Sequence, residues 1–236
     1  MRILFLNLLR AFKLTFGIYK KVHFNDPTRV EPISSVFGRD RGTPIDRYYI
    51  EKFLDKNREH IKGKILEISE DTYSRLYANH GAADKPVFET LHYDGTAGNS
   101  TIIGDLTTPE SLPANRYDCF ICTQTYNFMF DVAKAIEGTH YLLKEGGVVL
   151  ATVGGISQIS RYDMDRWGDF WRFTSKSIEM LFKNGGFSQV EVVVMGNCLA
   201  ATSFLQGVVV EDLPQKELLD VTDKDYQMLI GIKAIK

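Results

Sequence analysis

Apolar residues fall along this chain in short blocks of two kinds. Compact or alternating apolar runs occupy KILEIS (64–69), FETLHYD (88–94), STIIGD (100–105), YDCFICTQ (117–124), GVVLATV (147–153), QVEVVVMG (189–196) and QMLIGIKAI (227–235). Their length and β-branched content predict strands. Between them the apolar spacing shifts to that of a helix. Pro44 opens IDRYYIEKFLDKNREHI, in which Ile45, Tyr48, Tyr49, Phe53 and Ile61 keep rough helical register until Gly63 stops it. DVAKAIEGTHYLLKEGG (131–147) gathers Val132, Ala135, Ile136, Tyr141 and Leu142 on one side. TSKSIEMLFKNGGF (174–187) runs from a Thr or Ser cap to a Gly pair. DTYSRLYANHG, after the first strand, is a shorter helical stretch. LAATSFLQGVVVEDL, after GNC (196–198), reads as an apolar helix that either walls a pocket or closes the core.

Strands alternating with helices predict an α/β fold with a mostly parallel sheet of about seven strands. In such sheets ligands bind beyond the carboxyl ends of the strands, where strand order reverses. That directs attention to the residues just after 69, 94, 105, 124 and 153. Residues 25–46 hold three prolines with Gly38 and Gly42 and form an irregular connector. The chain therefore divides into an N-terminal helix (1–24), a connector with a cap helix (25–62) and a main domain (63–236).

Composition narrows the class. The 236 residues are 44% hydrophobic, enough for a substantial core, and 28 Lys and Arg nearly balance 30 Asp and Glu. A chain built to grip a phosphate backbone carries a basic excess, so nucleic acid is not an expected partner. The three cysteines exclude a dense disulfide framework. Cys119 and Cys122 form a CxxC within a strand, where residues three apart point to opposite faces, which argues for buried thiols rather than a shared metal or redox pair. The five histidines, at 23, 60, 80, 92 and 140, form no HxH or HxxxH pair, and no metal site is expected.

The order of acids and strands carries the chemistry. Glu67 closes the first strand, Asp94 ends the second, and Asp105 follows the third in GDL. YDCFICTQ, a helix ending LLKEGG and the strand VVLATV come next. Each acid alone is an ordinary loop carboxylate; their succession at strand ends favours a site. In this order the chain resembles a class I S-adenosylmethionine-dependent methyltransferase over residues 36 to 236. The phrases FGRDRGTPIDRYYIEKFL, RYDMDRWGDFWRFT and GNCLAATSFLQG are similar to a bacterial methyltransferase-domain group linked with glycan biosynthesis.

The resemblance implies a Rossmann-like sheet with an antiparallel last strand and S-adenosyl-L-methionine as cofactor. Glu67 would organise the methionine end and Asp94 would accept the ribose hydroxyls. Asp105 would meet the adenine amine, with the Leu106 backbone beside the ring. Thr123 and Gln124 would lie near the sulfonium and the nucleophile. Hydroxyls and an exocyclic amine are donors and carboxylates accept only, so the residue types suit the task. One departure stands out. The acidic-x-Gly-x-Gly loop of the family reads Glu67-Ile68-Ser69-Glu70-Asp71 here. Ser69 is small enough for the first glycine position provided its φ stays negative. Glu70 and Asp71 suit the cofactor's ammonium but repel its carboxylate unless a cation intervenes, a role open to Arg75 or to Arg41 beside Gly42.

SRYDMDRWGDFWRFT (160–174) is the most unusual stretch, with three Asp, three Arg, two Trp, two Phe and one Tyr. It reads either as a salt-bridged connector or as an acceptor-reading segment in which aromatic faces stack on sugar rings and Arg meets phosphate or carboxylate. Tyr126, Arg161, Tyr162, Trp167, Trp171 and Arg172 are the expected acceptor contacts. Transfer to a hydroxyl needs alignment and a base. Asp163 is the first candidate, Asp165 the second and His140 the third.

The resemblance, and for the glycan acceptor the resemblance alone, implies O-methylation of a sugar or glycan precursor. A non-catalytic methyltransferase-like binding or scaffold domain is the alternative, motivated by the glycine-less loop. No GxGxxG follows any strand, which argues against dinucleotide chemistry. The first 21 residues carry five positive charges and no negative one. On a helix, Arg2, Arg10, Lys13, Lys20 and Lys21 share an arc of about 100° beside a broad apolar face. That pattern suits either a membrane interface or packing on the core or on a second copy. With no secretory cleavage site after it, the expected location is the cytoplasm or the inner face of its membrane.

Overall fold

The computed structural model describes residues 28–79, 81, 85–95 and 100–236. The predicted N-terminal helix over 1–24 lies outside them. The elements are α1 (Ile45–Lys56), β1 (Lys64–Ile68), α2 (Thr72–Tyr77), β2 (Val87–His92), β3 (Ile102–Ile103), β4 (Tyr117–Thr123), α3 (Val132–Leu142), β5 (Leu143–Gly154), α4 (Arg161–Met164), α5 (Ser175–Asn184), β6 (Gln189–Met195), α6 (Cys198–Gln206) and β7 (Leu229–Ile235).

The strands form one seven-stranded sheet in the order β3-β2-β1-β4-β5-β7-β6. Strands β1 to β5 pair in parallel, while β7 runs antiparallel between β5 and β6. The central strands read as nearly continuous apolar runs because both of their faces are covered. Ile65, Cys119, Ile121, Val148 and Leu150 pack on the side of α1 and α6. Leu66, Phe120, Cys122, Val149 and Ala151 pack with α3 and α5 residues on the other. Each Val, Leu, Ile or Phe among them contributes about 1.5–3 kcal/mol by leaving water. Cys119 and Cys122 thus occupy opposite faces, as the strand period requires. Burial pushes the Cys122 thiol up to about 12.

Two helices are shorter than their patterns predict. Past Lys56, the Asn57 amide donates to the Phe53 carbonyl at 2.8 Å and a single 3-10 turn, Arg58–His60, replaces further α-helix. The stretch 143–147 leaves α3 for β5, because Leu143 pairs with Tyr117 and Lys144 Nζ reaches both Asp118 oxygens at 2.8 Å.

The connector is folded onto the main domain. Ile33 N donates to the Gln206 carbonyl at 2.7 Å, Val210 N to that of Thr43 at 2.9 Å, and Pro44 bridges Val209. Arg41 pairs with Asp212 at 3.1 Å, and Glu211 accepts from the Thr43 backbone and hydroxyl at 2.8 and 2.7 Å. The phrases FGRDRGTP and VVVED, some 170 positions apart, are therefore two halves of one clasp. Among the described residues no helix is long and apolar enough to cross a membrane, and no cluster of His, Cys, Asp and Glu could hold a metal ion.

Candidate functional site

A cleft of about 1360 Å³ opens beyond the carboxyl ends of β1 to β5. That exceeds the roughly 300–1,000 Å³ typical of a single small-molecule pocket, which leaves room for two ligands. Its floor is built from the β1, β2, β3 and β4 ends; the cap segment 35–50 and the lid segment 157–172 form its walls.

Glu67, Ser69, Asp94, Asp105, Leu106, Thr123 and Gln124 all line this one cleft. Glu67 is 5% exposed and accepts the Tyr73 and Ser74 backbone N–H groups at 3.1 and 2.7 Å. Those are orphan donors of the first turn of α2, so the carboxyl caps that helix. Burial drives its pKa up to about 7 against the pull of the two N–H groups. Asp94 lies beside His92, Oδ1 to Nδ1 at 3.3 Å. Asp105 commits Oδ1 to the Thr107 N–H and hydroxyl, both at 2.8 Å, and Oδ2 is left to accept from a ligand. Leu106 buries its side chain and brings its backbone to the cleft. A Cβ on Gly138 would lie 2.0 Å from the Leu106 carbonyl oxygen, so only glycine lets α3 sit against this loop.

Ser69 departs from expectation. Its φ is +67°, the left-handed conformation a glycine supplies, not the negative φ expected from its size. The loop keeps the glycine backbone without the glycine, at a cost of about 1–2 kcal/mol. Gln124 (φ +51°) and Phe37 (φ +61°) also line the cleft, leaving Asn115 as the one described non-glycine residue with positive φ elsewhere. Backbone strain held by surrounding structure concentrates at working sites.

Several expected contacts are not made by the cleft. Arg41 is held by Asp212, and a Cβ on Gly42 would lie 2.3 Å from a Glu211 oxygen; both belong to the cap clasp. Arg75 Nε donates to Asp71 at 2.7 Å and its guanidinium lies over the Phe88 ring at 4.7 Å, away from the cleft. Arg75 thus neutralises Asp71 rather than facing a ligand. Tyr126 is fully buried, with its hydroxyl 2.7 Å from that of Thr139 and its ring edge-on to Phe182. It is a floor timber, not a reader. Trp171 turns outward to Phe130, donating from Nε1 to the Phe130 carbonyl at 3.2 Å. Asp165 pairs with Arg161 at 3.3 Å on the exposed side of α4. His140 sits in the last turn of α3, edge-on to Phe187, and burial with the nearby Lys236 lowers its pKa. Neither Asp165 nor His140 lines the cleft.

Asp163, Arg161, Tyr162, Trp167 and Arg172 do line it. Trp167 meets Tyr93 edge-on at 5.9 Å, closing the lid over the β2 end, and Arg166 lies 3.5 Å above the Tyr162 ring. Both readings of the lid segment hold at once, because a latch beneath it is structural. Asp169, its side chain 1% exposed, binds the Arg172 fork at 2.6 and 2.9 Å, the Ser160 N–H at 2.9 Å and the Asn127 amide at 3.3 Å. Burial alone would raise its carboxyl; Arg172, Ser160 and Asn127 together hold it below the ordinary range.

Asn127 escaped the sequence reading. Its Nδ2 must face Asp169, which accepts only, so its buried Oδ1 is left without a donor among the described residues. Arg39, Asp46 and Arg47 on the cap wall also escaped it. Helical register marks the buried face of α1 but says nothing of what its exposed face overlooks.

No family model matches this chain, and no curated protein matches it. Solved structures do. It is similar to a SAM-dependent methyltransferase from Archaeoglobus fulgidus, with 11% identity, TM-score 0.51, and 80% of this chain and 94% of that one covered. It is similar also to an S-adenosylmethionine-dependent methyltransferase from Mesorhizobium loti, with 14% identity, TM-score 0.52, and coverage of 81% and 98%. A third is the cyclase SpnF, at 14% identity, TM-score 0.51, and coverage of 89% and 88%. At these identities the likeness shows the fold that the methyltransferases share, and the chemistry has to be argued from the site.

Proposed function

We propose that this chain is an S-adenosylmethionine-dependent methyltransferase that methylates a hydroxyl on a sugar or glycan-precursor acceptor. The observation that supports it best is the convergence of Glu67, Asp94 and Asp105, from three successive strand ends, on one cleft with room for two ligands.

The residues present fit the cofactor. Asp94 would hold the ribose hydroxyls, Asp105 Oδ2 the exocyclic amine, and the strained Ser69 turn would let the backbone approach the methionine end. The unpartnered Asn127 oxygen is a further acceptor in the wall between cofactor and lid. When bound, S-adenosylmethionine supplies the electrophilic methyl group on its sulfonium. Thr123 and Gln124 would flank the transfer point. The latch fixes the lid, which would hold the acceptor hydroxyl in line and exclude water. Trp167 and Tyr162 offer ring faces to a sugar, and Arg161 offers donors to an anionic substituent. Asp163 would take the hydroxyl proton; Ser160 Oγ donates to its Oδ2 at 2.5 Å and orients it. A protein working on lipid-linked precursors would use the basic, apolar 1–24 segment to rest on a membrane.

Incubating the full chain with methyl-labelled cofactor and glycan intermediates tests this reading. Label on a sugar oxygen supports it; label confined to nitrogen or carbon acceptors would refute the O-transfer. The glycine-less loop favours the second reading, a binding domain without turnover, and cofactor binding with no transfer to any acceptor would support that one.

A further inference from the structure

Six of the arginines in the described residues are paired with carboxylates: Arg41, Arg58, Arg75, Arg116, Arg161 and Arg172. Arg166 donates to the Tyr162 carbonyl. Arg39 and Arg47 both line the cleft, and among the described residues neither has a carboxylate within ion-pair distance. Between them in sequence, also on the cleft wall, stands Asp46. Its Oδ1 accepts the Arg47 backbone N–H at 2.8 Å, and burial raises its carboxyl against the pull of that N–H and of both guanidinium groups.

The position of this trio is fixed by structure on both sides. Ser34, itself buried, receives the Gly38 and Val36 N–H groups at 3.0 and 3.2 Å and donates to Asp40, which shapes the turn that carries Arg39. Arg47 lies over the Tyr73 ring at 5.9 Å. Tyr73 is in the first turn of α2, directly after the glycine-less loop. Arg47 therefore stands at the end of the cleft that Ser69, Glu70 and Thr72 line, with Asp46 beside it and Arg39 on the same wall, close enough for its charge to act on Asp46.

The loop's own charges are already engaged there. Glu67 caps α2, Asp71 is paired with Arg75, and Glu70 accepts from the Thr72 hydroxyl at 3.2 Å. Two cations flanking one anion match an α-amino acid zwitterion, whose carboxylate suits a guanidinium fork and whose ammonium suits a carboxylate. Resting on the cofactor reading above, we propose that Arg39, Asp46 and Arg47 form a zwitterion clamp for the amino-acid end of the cofactor. Arg39 and Arg47 take its carboxylate and Asp46 its ammonium. The cap wall thereby supplies the charges for the amino-acid end, while the Ser69 turn supplies the close backbone approach.

Calorimetry on the full chain with two probes tests it: S-adenosylhomocysteine, and 5′-methylthioadenosine, which has the same nucleoside and no amino-acid end. The wild-type chain is expected to bind the first more tightly by about tenfold or more, the worth of one or two charge-assisted hydrogen bonds. Arg39→Gln with Arg47→Gln should erase that advantage and leave methylthioadenosine affinity unchanged, which also shows that the variant is folded. Asp46→Asn should narrow the gap in the same way. Equal wild-type affinities for the two probes would overturn the clamp and leave the cofactor reading standing. So would a gap that survives all three substitutions, or a parallel loss of both probes in a variant with wild-type melting. Binding of neither probe by the wild-type chain would bring down the cofactor reading, and the clamp with it.

Discussion

Replacing Glu67 with glutamine isolates the energetic consequence of burying an acid at the mouth of β1. The carboxyl is raised from 4.5 to about 7, which corresponds to about 3 kcal/mol between its two protonation states. Because the folded pKa lies above the unfolded one, the native state binds the proton more tightly. The favourable state is complete below about pH 4.5 and is lost as pH rises through about 7. The glutamine side chain would imitate the protonated acid, with one oxygen for the Ser74 N–H and its amide facing the other donor. Near pH 5 the two proteins should agree within about 1 kcal/mol, the value of one net hydrogen bond. By pH 9 the variant should be the more stable by about 3 kcal/mol relative to that baseline, or about 6–12 °C in melting temperature for a chain of this size. Thermal and urea melts from pH 5 to 9 measure the difference. Parallel stability curves would refute the reasoning, because they would mean that Glu67 is ionised throughout and stabilised by the two α2 N–H groups. Cofactor binding adds a second readout: a cationic ligand beside Glu67 favours its charged form, so near pH 7 binding should release a proton, visible as buffer-dependent calorimetric heat.

Three other outcomes follow from the site. Ser69→Gly should relieve the left-handed strain and raise stability by up to about 1 kcal/mol once glycine's extra unfolded entropy is counted; a clear loss would show that the Ser69 side chain holds the turn. Asp169→Asn should break the buried pair with Arg172 at a local cost of about 3 kcal/mol, seen as faster hydrogen exchange over 157–172. The wild-type latch, with its depressed carboxyl, should persist above the ordinary carboxylate range and open as pH falls through the lowered folded pKa; acid-insensitive exchange there would contradict the assignment. Exposed Cys198 should react with a thiol reagent in the native state, while Cys119 and Cys122 react only after unfolding; fast labelling of all three would mean that the central strand is open.

The sheet was legible because its signals are local. Central strands buried on both faces read as apolar runs, and strand ends place Glu67, Asp94 and Asp105 without knowledge of the partners. What sequence could not supply was direction and long-range pairing. Tyr126 and Trp171 sit in the expected segments but point into the core and outward, and strand or loop position alone does not choose between these. Arg41 looked like a spare cation because Asp212 is far away in sequence. Arg39, Asp46 and Arg47 carry no local signal, because a cap turn and a helix start acquire meaning only when folded over the cleft beside Tyr73. At Ser69 a small side chain in place of glycine implies a negative φ, whereas the fold keeps the left-handed turn and accepts the strain.

The central claim, that this cleft is a cofactor site, is tested most directly by isothermal titration of the full chain with S-adenosylmethionine, beside Asp94→Ala. The account predicts one site per chain, with affinity at least about tenfold weaker in the variant while its melting temperature stays near that of the wild type. No binding at millimolar cofactor, or equal binding by the variant, would contradict it.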